Sequence, residues 1–198
     1  MRITKILSVK GSIYEVRFDD GTYINLDRAY AEPLKLCEGM EISEERANAM
    51  EDESDFIRCK NRALFYLSQR DVSEKKLRDK LLSAGFEERF VVACVERLKE
   101  LSYINDQDYS LRFWEKCQAS GLSRRQAIEK MINAGISRQM AKEVCVYSDA
   151  EEQKKIRHLI NSKYRSKMDS EEGIQKTIAA LSRRGFSFSD IRAVINEE

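Results

Sequence analysis

Along most of the chain the apolar positions recur at helical spacing, and that spacing itself repeats. In Ser73–Leu101, Leu77, Leu81 and Leu82 form an i, i+4, i+5 stripe, and Phe90, Val91, Cys94, Val95 and Leu98 form a second one. Ser73 stands where a side-chain oxygen can accept from a free N–H of the first helical turn. Gly85 supplies the left-handed residue that ends the first helix, and Phe86 after it packs back on the last turn. The stretch therefore reads as helix, tight stop, helix. It returns every 50 residues at Gly85, Gly135 and Gly185. Phe86, Ile136 and Phe186 follow the glycines, and Leu81, Met131 and Leu181 stand four positions before them. Val91, Ala141 and Ile191 come six positions after, and Cys94, Val144 and Val194 nine after. Ser123 holds the cap position of the second copy. One two-helix hairpin would mean little, but three in one register mark a repeat architecture.

A further helical stripe precedes each hairpin. It runs through Phe56, Ile57, Lys60, Ala63, Leu64 and Leu67, with Ser54 or Asp55 as cap. In the second copy it starts at Asp106, runs through Tyr109, Phe113, Trp114 and Cys117, and ends at Gly121. In the third it runs through Ile156, Leu159, Ile160 and Tyr164. Each repeat is thus expected to hold three helices, over 55–101, 102–148 and 149–198, with Tyr103-Ile104-Asn105-Asp106 as the hinge between the first two. Stacked neighbours would extend each small core into a curved stack.

The period changes at the N-terminus. Ile3–Val9, Ile13–Phe18 and Tyr23–Leu26 are rich in strand formers and are separated by Gly11-Ser12 and Asp19-Asp20-Gly21-Thr22. This predicts a three-stranded antiparallel meander. Asp27 is placed to cap a short helix ending before Pro33, and Leu34–Ile42 returns as strand or loop through Gly39. Three strands bury little, so this piece must lean on the helices or on a partner. The polar, acidic run 43–54 reads as a short exposed helix or a linker, and the boundary of a β-rich domain 1–54 is placed there. The expected fold is mainly α: three tandem three-helix repeats behind a small antiparallel β-rich domain.

Composition sharpens this picture. A single Pro and 8 Gly in 198 residues, with 35% charged and 42% apolar positions, favour helices. The net charge of +1 is unevenly spread, with 7 basic against 12 acidic residues up to position 54 and 28 against 22 beyond it. An acidic head precedes a basic body, which permits nucleic-acid contact without requiring it. The five cysteines, Cys37, Cys59, Cys94, Cys117 and Cys145, include no CxxC pair; Cys94 and Cys145 fall on apolar faces. A reducing, cytoplasmic setting without disulfides or zinc fits this usage. The N-terminal apolar run is too short for a signal peptide, and no stretch approaches the length of a membrane span.

Catalytic chemistry finds little purchase. The one histidine, His158, stands among Lys154, Lys155 and Arg157, which is the pattern of a solvated face. A second histidine or a cysteine at ligand spacing would be needed for a metal, and an oriented base for a nucleophile. Neither GxxxxGK[ST] nor GxGxxG occurs. Asp19-Asp20 is better read as a turn than as a metal pair. The chain is therefore expected to be no enzyme and to need no cofactor or metal. The binding candidates are basic: Arg124 and Arg125 opening a helix, Lys163, Arg165 and Lys167 ending the helix that begins the third repeat, and Arg183 and Arg184 closing another. Cations near a helix C-terminus complement its dipole, whereas Arg124 and Arg125 lack that reason. They point more directly to an external anionic partner.

Ala63–Arg70, Ser73–Leu81 with Gly85-Phe86, Leu101–Tyr109, and Leu181–Phe186 resemble the regulatory protein RecX family over roughly 55–198. The β-rich head resembles the extension of its longer members. The residue before the glycine is often basic in that family, whereas here Ala84 and Ala134 stand there in the first two repeats. The resemblance implies a modulator, acting as a monomer without a catalytic site. It would bind the RecA filament on single-stranded DNA and limit its assembly, strand exchange and coprotease activity, within recombination, DNA repair and the SOS response. Direct DNA binding through helix-turn-helix-like repeats is the alternative.

Overall fold

The computed structural model describes residues 1–9, 11–146 and 148–196. Three strands open it: β1 (Ile3–Val9), β2 (Ile13–Phe18) and β3 (Tyr23–Asp27), antiparallel in the order β1-β2-β3. Ile6 pairs with Val16 and Val16 with Ile24, with a register shift between Ile3 and Lys5. The second turn is built as its residues suggest. Asp20 accepts from the Thr22 backbone N–H at 2.9 Å and from its hydroxyl at 2.6 Å, and Gly21 has φ 85°. Asp27 caps a short helix, α1 (Arg28–Ala31), by accepting from the Ala29 N–H. Residues 39–42 form no strand. They follow the edge of β1 as a loop, with Ile3 donating to the Met40 carbonyl, Ile42 to the Met1 carbonyl, and one bridge from Arg2 to Glu41.

The acidic run expected as a short exposed helix or linker is the first half of one long helix, α2 (Glu44–Gln69). Its cap is Ser43, which accepts from the Arg46 N–H; Ser54 and Asp55 lie inside the helix. The reason lies in what this half packs against. Ala47 and Met50 close the sheet core of Ile3, Val16, Phe18, Ile24 and Leu26. The buried Ser54 hydroxyl accepts the Asp27 N–H at 2.6 Å, Glu51 accepts the Asn25 N–H at 3.1 Å, and Glu53 accepts the Tyr30 hydroxyl at 2.5 Å. Burial, with the Glu53 carboxylate beside it, pushes the Tyr30 phenol up to about 12. The head does lean on a helix, through acidic side chains that a composition count reads only as solvated charge.

The second half of α2 packs with α3 (Glu74–Ser83) and α4 (Glu88–Glu100) around Cys59, Ala63, Leu77, Leu81, Phe90, Val91, Cys94, Val95 and Leu98. Leu82, expected in the stripe, is 42% exposed. One step past Leu81 the helix has turned away from the core, in which Cys59 is fully buried. The hydrogen bond to Cys94 and burial together push the Cys59 thiol well above its ordinary range, so both cysteines serve as small core residues.

The second copy comprises α5 (Asp106–Ala119), α6 (Arg124–Asn133) and α7 (Arg138–Val144), with Trp114, Cys117, Ala127, Met131, Ile136, Ala141 and Cys145 buried. The third comprises α8 (Asp149–Leu159), α9 (Glu171–Arg183) and α10 (Phe188–Asn196), around Ile156, Leu159, Ile160, Ile178, Leu181, Phe186, Ile191 and Val194. The compact units divide the chain into Met1–Ile104 and Asn105–Glu198.

The repeated stop is the same in all three copies. Gly85, Gly135 and Gly185 have φ of 88°, 95° and 85°. Each glycine N–H donates three residues back, to Leu82, Ile132 and Ser182. Each following N–H donates five residues back, to Leu81, Met131 and Leu181. This paired C-terminal cap satisfies carbonyls that the helix cannot. Among the described residues no helix is long and apolar enough to cross a membrane.

Candidate functional site

Four of the basic candidates, Arg124, Arg125, Arg183 and Arg184, meet where α6 begins and α9 ends. Ser123 caps α6 by accepting the Gln126 N–H at 3.2 Å, and its hydroxyl donates to the Arg184 carbonyl at 2.6 Å. The Gln126 side chain donates to the Arg183 carbonyl at 3.1 Å. The last carbonyls of one helix thus face the first turn of another. Arg124 and Arg125, unfavourable when their own helix is taken alone, lie beside the negative end of α9, which offsets that cost. Arg125 Nε would come 3.4 Å from a Cβ placed on Gly185. The two arginine pairs therefore share one junction.

Tyr164 extends the patch. The Lys167 ammonium lies 5.8 Å from its ring centre and the Arg184 guanidinium 6.0 Å, within the range where a cation is drawn to an aromatic face. Lys163, Arg165 and Lys167 do not end an α-helix as expected. α8 stops at Leu159, and Ile160–Tyr164 forms a wider, π-type turn followed by a 3₁₀ turn at Arg165–Lys167. Arg165 donates to Asn161 at 3.3 Å. Lys163 is exposed.

What separates these seven side chains from several other cations is their lack of carboxylate partners. Arg89 is clamped by both oxygens of Asp52 at 2.8 and 2.6 Å and by Glu87, and Arg97 pairs with Glu100. Lys99 pairs with Glu74 and Glu96. Among the described residues, Arg124, Arg125, Lys163, Arg165, Lys167, Arg183 and Arg184 have no carboxylate at ion-pairing distance. Such side chains offer to an anionic surface a charge that no ion pair ties up.

Sequence reasoning missed Ser123's second role, Gln126, Tyr164 and Glu152. Glu152 is buried and accepts the Arg124 backbone N–H at 3.1 Å through one carboxylate oxygen. Burial raises its pKa above the ordinary carboxylate range. The signal was present: Glu152, Ile156 and Leu159 share the buried register of α8. Nearby Lys155 donates to the Leu122 carbonyl at 3.2 Å and lies 5.8 Å from the Trp114 ring centre; burial lowers its pKa. His158 is exposed, and among the described residues no group of three His, Cys, Asp or Glu is placed to hold a metal.

Family models match the first three-helix domain of RecX over residues 59–98 and the third over residues 150–195. A regulatory protein RecX from Caldanaerobacter subterraneus is 31% identical over 200 residues, covering 99% of both chains. One from Streptococcus pneumoniae is 29% identical over 199 residues, covering 100% of this chain and 77% of its own. A crystal structure of regulatory protein RecX superposes over 100% of this chain and 99% of that one with a TM-score of 0.71; at 20% identity it speaks for the fold. The repeated capped hairpin, the strand-rich head and this end-to-end similarity lead to one conclusion: the chain belongs to the RecX family of regulatory proteins.

Proposed function

We propose that the protein binds the RecA recombinase filament on single-stranded DNA and limits its assembly, strand exchange and coprotease activity. The observation that carries this reading is the group of seven basic side chains without carboxylate partners, held on helical repeats in a chain of the RecX family. A regulator of this kind needs no reaction of its own. It needs a surface that outcompetes or distorts contacts between filament subunits, and exposed cations on stiff helices supply one. The domain organisation proposed with it is a β-rich head followed by three three-helix repeats.

The test is ATP hydrolysis by RecA on single-stranded DNA with the purified protein added, together with co-sedimentation with preformed filaments. Inhibition and co-sedimentation are expected. Absence of both removes the reading.

The same cations favour a second reading, direct DNA binding. Phosphate contacts make affinity fall steeply with salt. Titration of labelled single and double strands without RecA distinguishes the two: a salt-sensitive affinity too weak to explain filament inhibition leaves DNA as an accessory contact.

A further inference from the structure

Within the Asn105–Glu198 unit a cleft of about 370 Å³ opens between the first turns of α6 and α8 and the segment leading into α10. Its volume lies at the small end for ligand sites, the scale of one side chain rather than of a nucleotide cofactor. Glu152 lines it and is only 9% exposed. Oε1 is used by the Arg124 N–H, but Oε2 is buried and has no hydrogen-bond partner among the described residues. A buried charged oxygen left unpaired is costly, and natural structures carry such groups with a reason. Ile128 and Phe186 give the cleft apolar walls, and Asp149 and Asp190 add negative charge. Lys155, on the same helix, directs its ammonium to the Leu122 carbonyl.

We propose that this cleft receives one basic side chain, an arginine or lysine presented by a docked protein partner. The cationic head donates to Glu152 Oε2 between Asp149 and Asp190, and the aliphatic stem lies against Ile128 and Phe186. A cation seated there completes the compensation of a buried carboxylate that the Arg124 N–H and the Lys155 and Arg124 charges offset only in part, its pKa staying raised by burial. A metal ion is the weaker occupant, since no metal-binding group of side chains exists among the described residues. Arg124 and Arg125 stand in the lining beside this acidic floor of three carboxylates. The matching surface therefore presents a basic side chain with acidic neighbours. This assignment rests on the reading that the protein acts through a protein partner.

The test is a nuclear magnetic resonance titration of the full chain with N-acetyl-argininamide, with N-acetyl-norleucinamide and inorganic phosphate as controls. The arginine probe is expected to shift the Arg124, Glu152 and Gly185 amides saturably, and Glu152→Gln to weaken it at least tenfold. The amide oxygen introduced by that substitution would keep an acceptor for the Arg124 N–H, and Trp114 fluorescence checks that the variant is folded. Equal binding by the variant, equal binding of norleucinamide, no saturable shift, or shifts with phosphate alone would each overturn the proposal. If the arginine probe binds while RecA-dependent ATP hydrolysis is unaffected, the cleft stands and the filament reading falls. Inhibition without probe binding removes the cleft alone.

Discussion

At Gly185 two constraints coincide. Its φ of 85° disfavours any side chain, and a Cβ there would come 2.5 Å from Ser123 Oγ. Gly121 has only the first constraint, with φ 67° and nothing within 4 Å of the same position. Gly121→Ala should cost about 1–2 kcal/mol, and Gly185→Ala measurably more. The chain's single tryptophan, Trp114, lies in the same compact unit, so urea denaturation followed by its fluorescence reads both variants. Ser102 presents the opposite case. It takes the left-handed position at φ 58° where the helix stops use glycine, and Tyr103 still donates five residues back to Leu98. Ser102→Gly should stabilise by up to about 1 kcal/mol, seen by circular dichroism. Glu152 adds a pH signature. Burial raises its pKa in the folded state, so its favourable contribution is complete below the ordinary carboxylate range and is lost as pH rises through the folded value. Stability of the native chain relative to Glu152→Gln should therefore fall as pH rises past the ordinary carboxylate value of 4.5; a flat difference would contradict the raised pKa.

Among the elements, the hairpins were legible and the segments joining them to their surroundings were not. Three identical stops follow from glycine, an apolar residue after it and an apolar residue four before it, all local signals. The third repeat departs at its start: α9 begins at Glu171, capped by Ser170, because position 173 is a glycine whose Cβ would come 2.0 Å from the Lys167 carbonyl oxygen. No periodicity encodes that close approach. Long-range use of polar side chains was equally hidden: the acids of α2 read as a short exposed helix or a linker until the sheet backbone they satisfy is in place. The seven basic candidates were named from local patterns, but the meeting of the arginine pairs at α9's carbonyls depends on Ser123 and Gln126, residues that look like ordinary first-turn positions. The caps give a graded prediction. Ser137 accepts the Met140 N–H at the start of α7, and its replacement by Ala should cost about 1 kcal/mol. Ser123→Ala should cost more, because the Arg184 carbonyl also loses its donor. The same fluorescence measurement compares them.

For the whole molecule, charge carries the functional prediction. Reversing Arg124 and Arg125 together to Glu should weaken inhibition of RecA-dependent ATP hydrolysis at least tenfold. Reversing Arg97, already paired with Glu100, should leave it nearly unchanged. Equal effects would show that only net charge matters. The proposed partner was never legible from periodicity; it came from family likeness, and physical chemistry contributes only where such a partner could be met. The continuous helix α2 has a last, practical consequence. A chain trimmed to begin at residue 55 would sever about 16 Å of that rod, discard Ala47 and Met50, and leave the first repeat with a raw, unprotected stub. Shuffling heads between relatives calls for a cut ahead of Ser43, because the sheet and the first repeat hang from one shared spine.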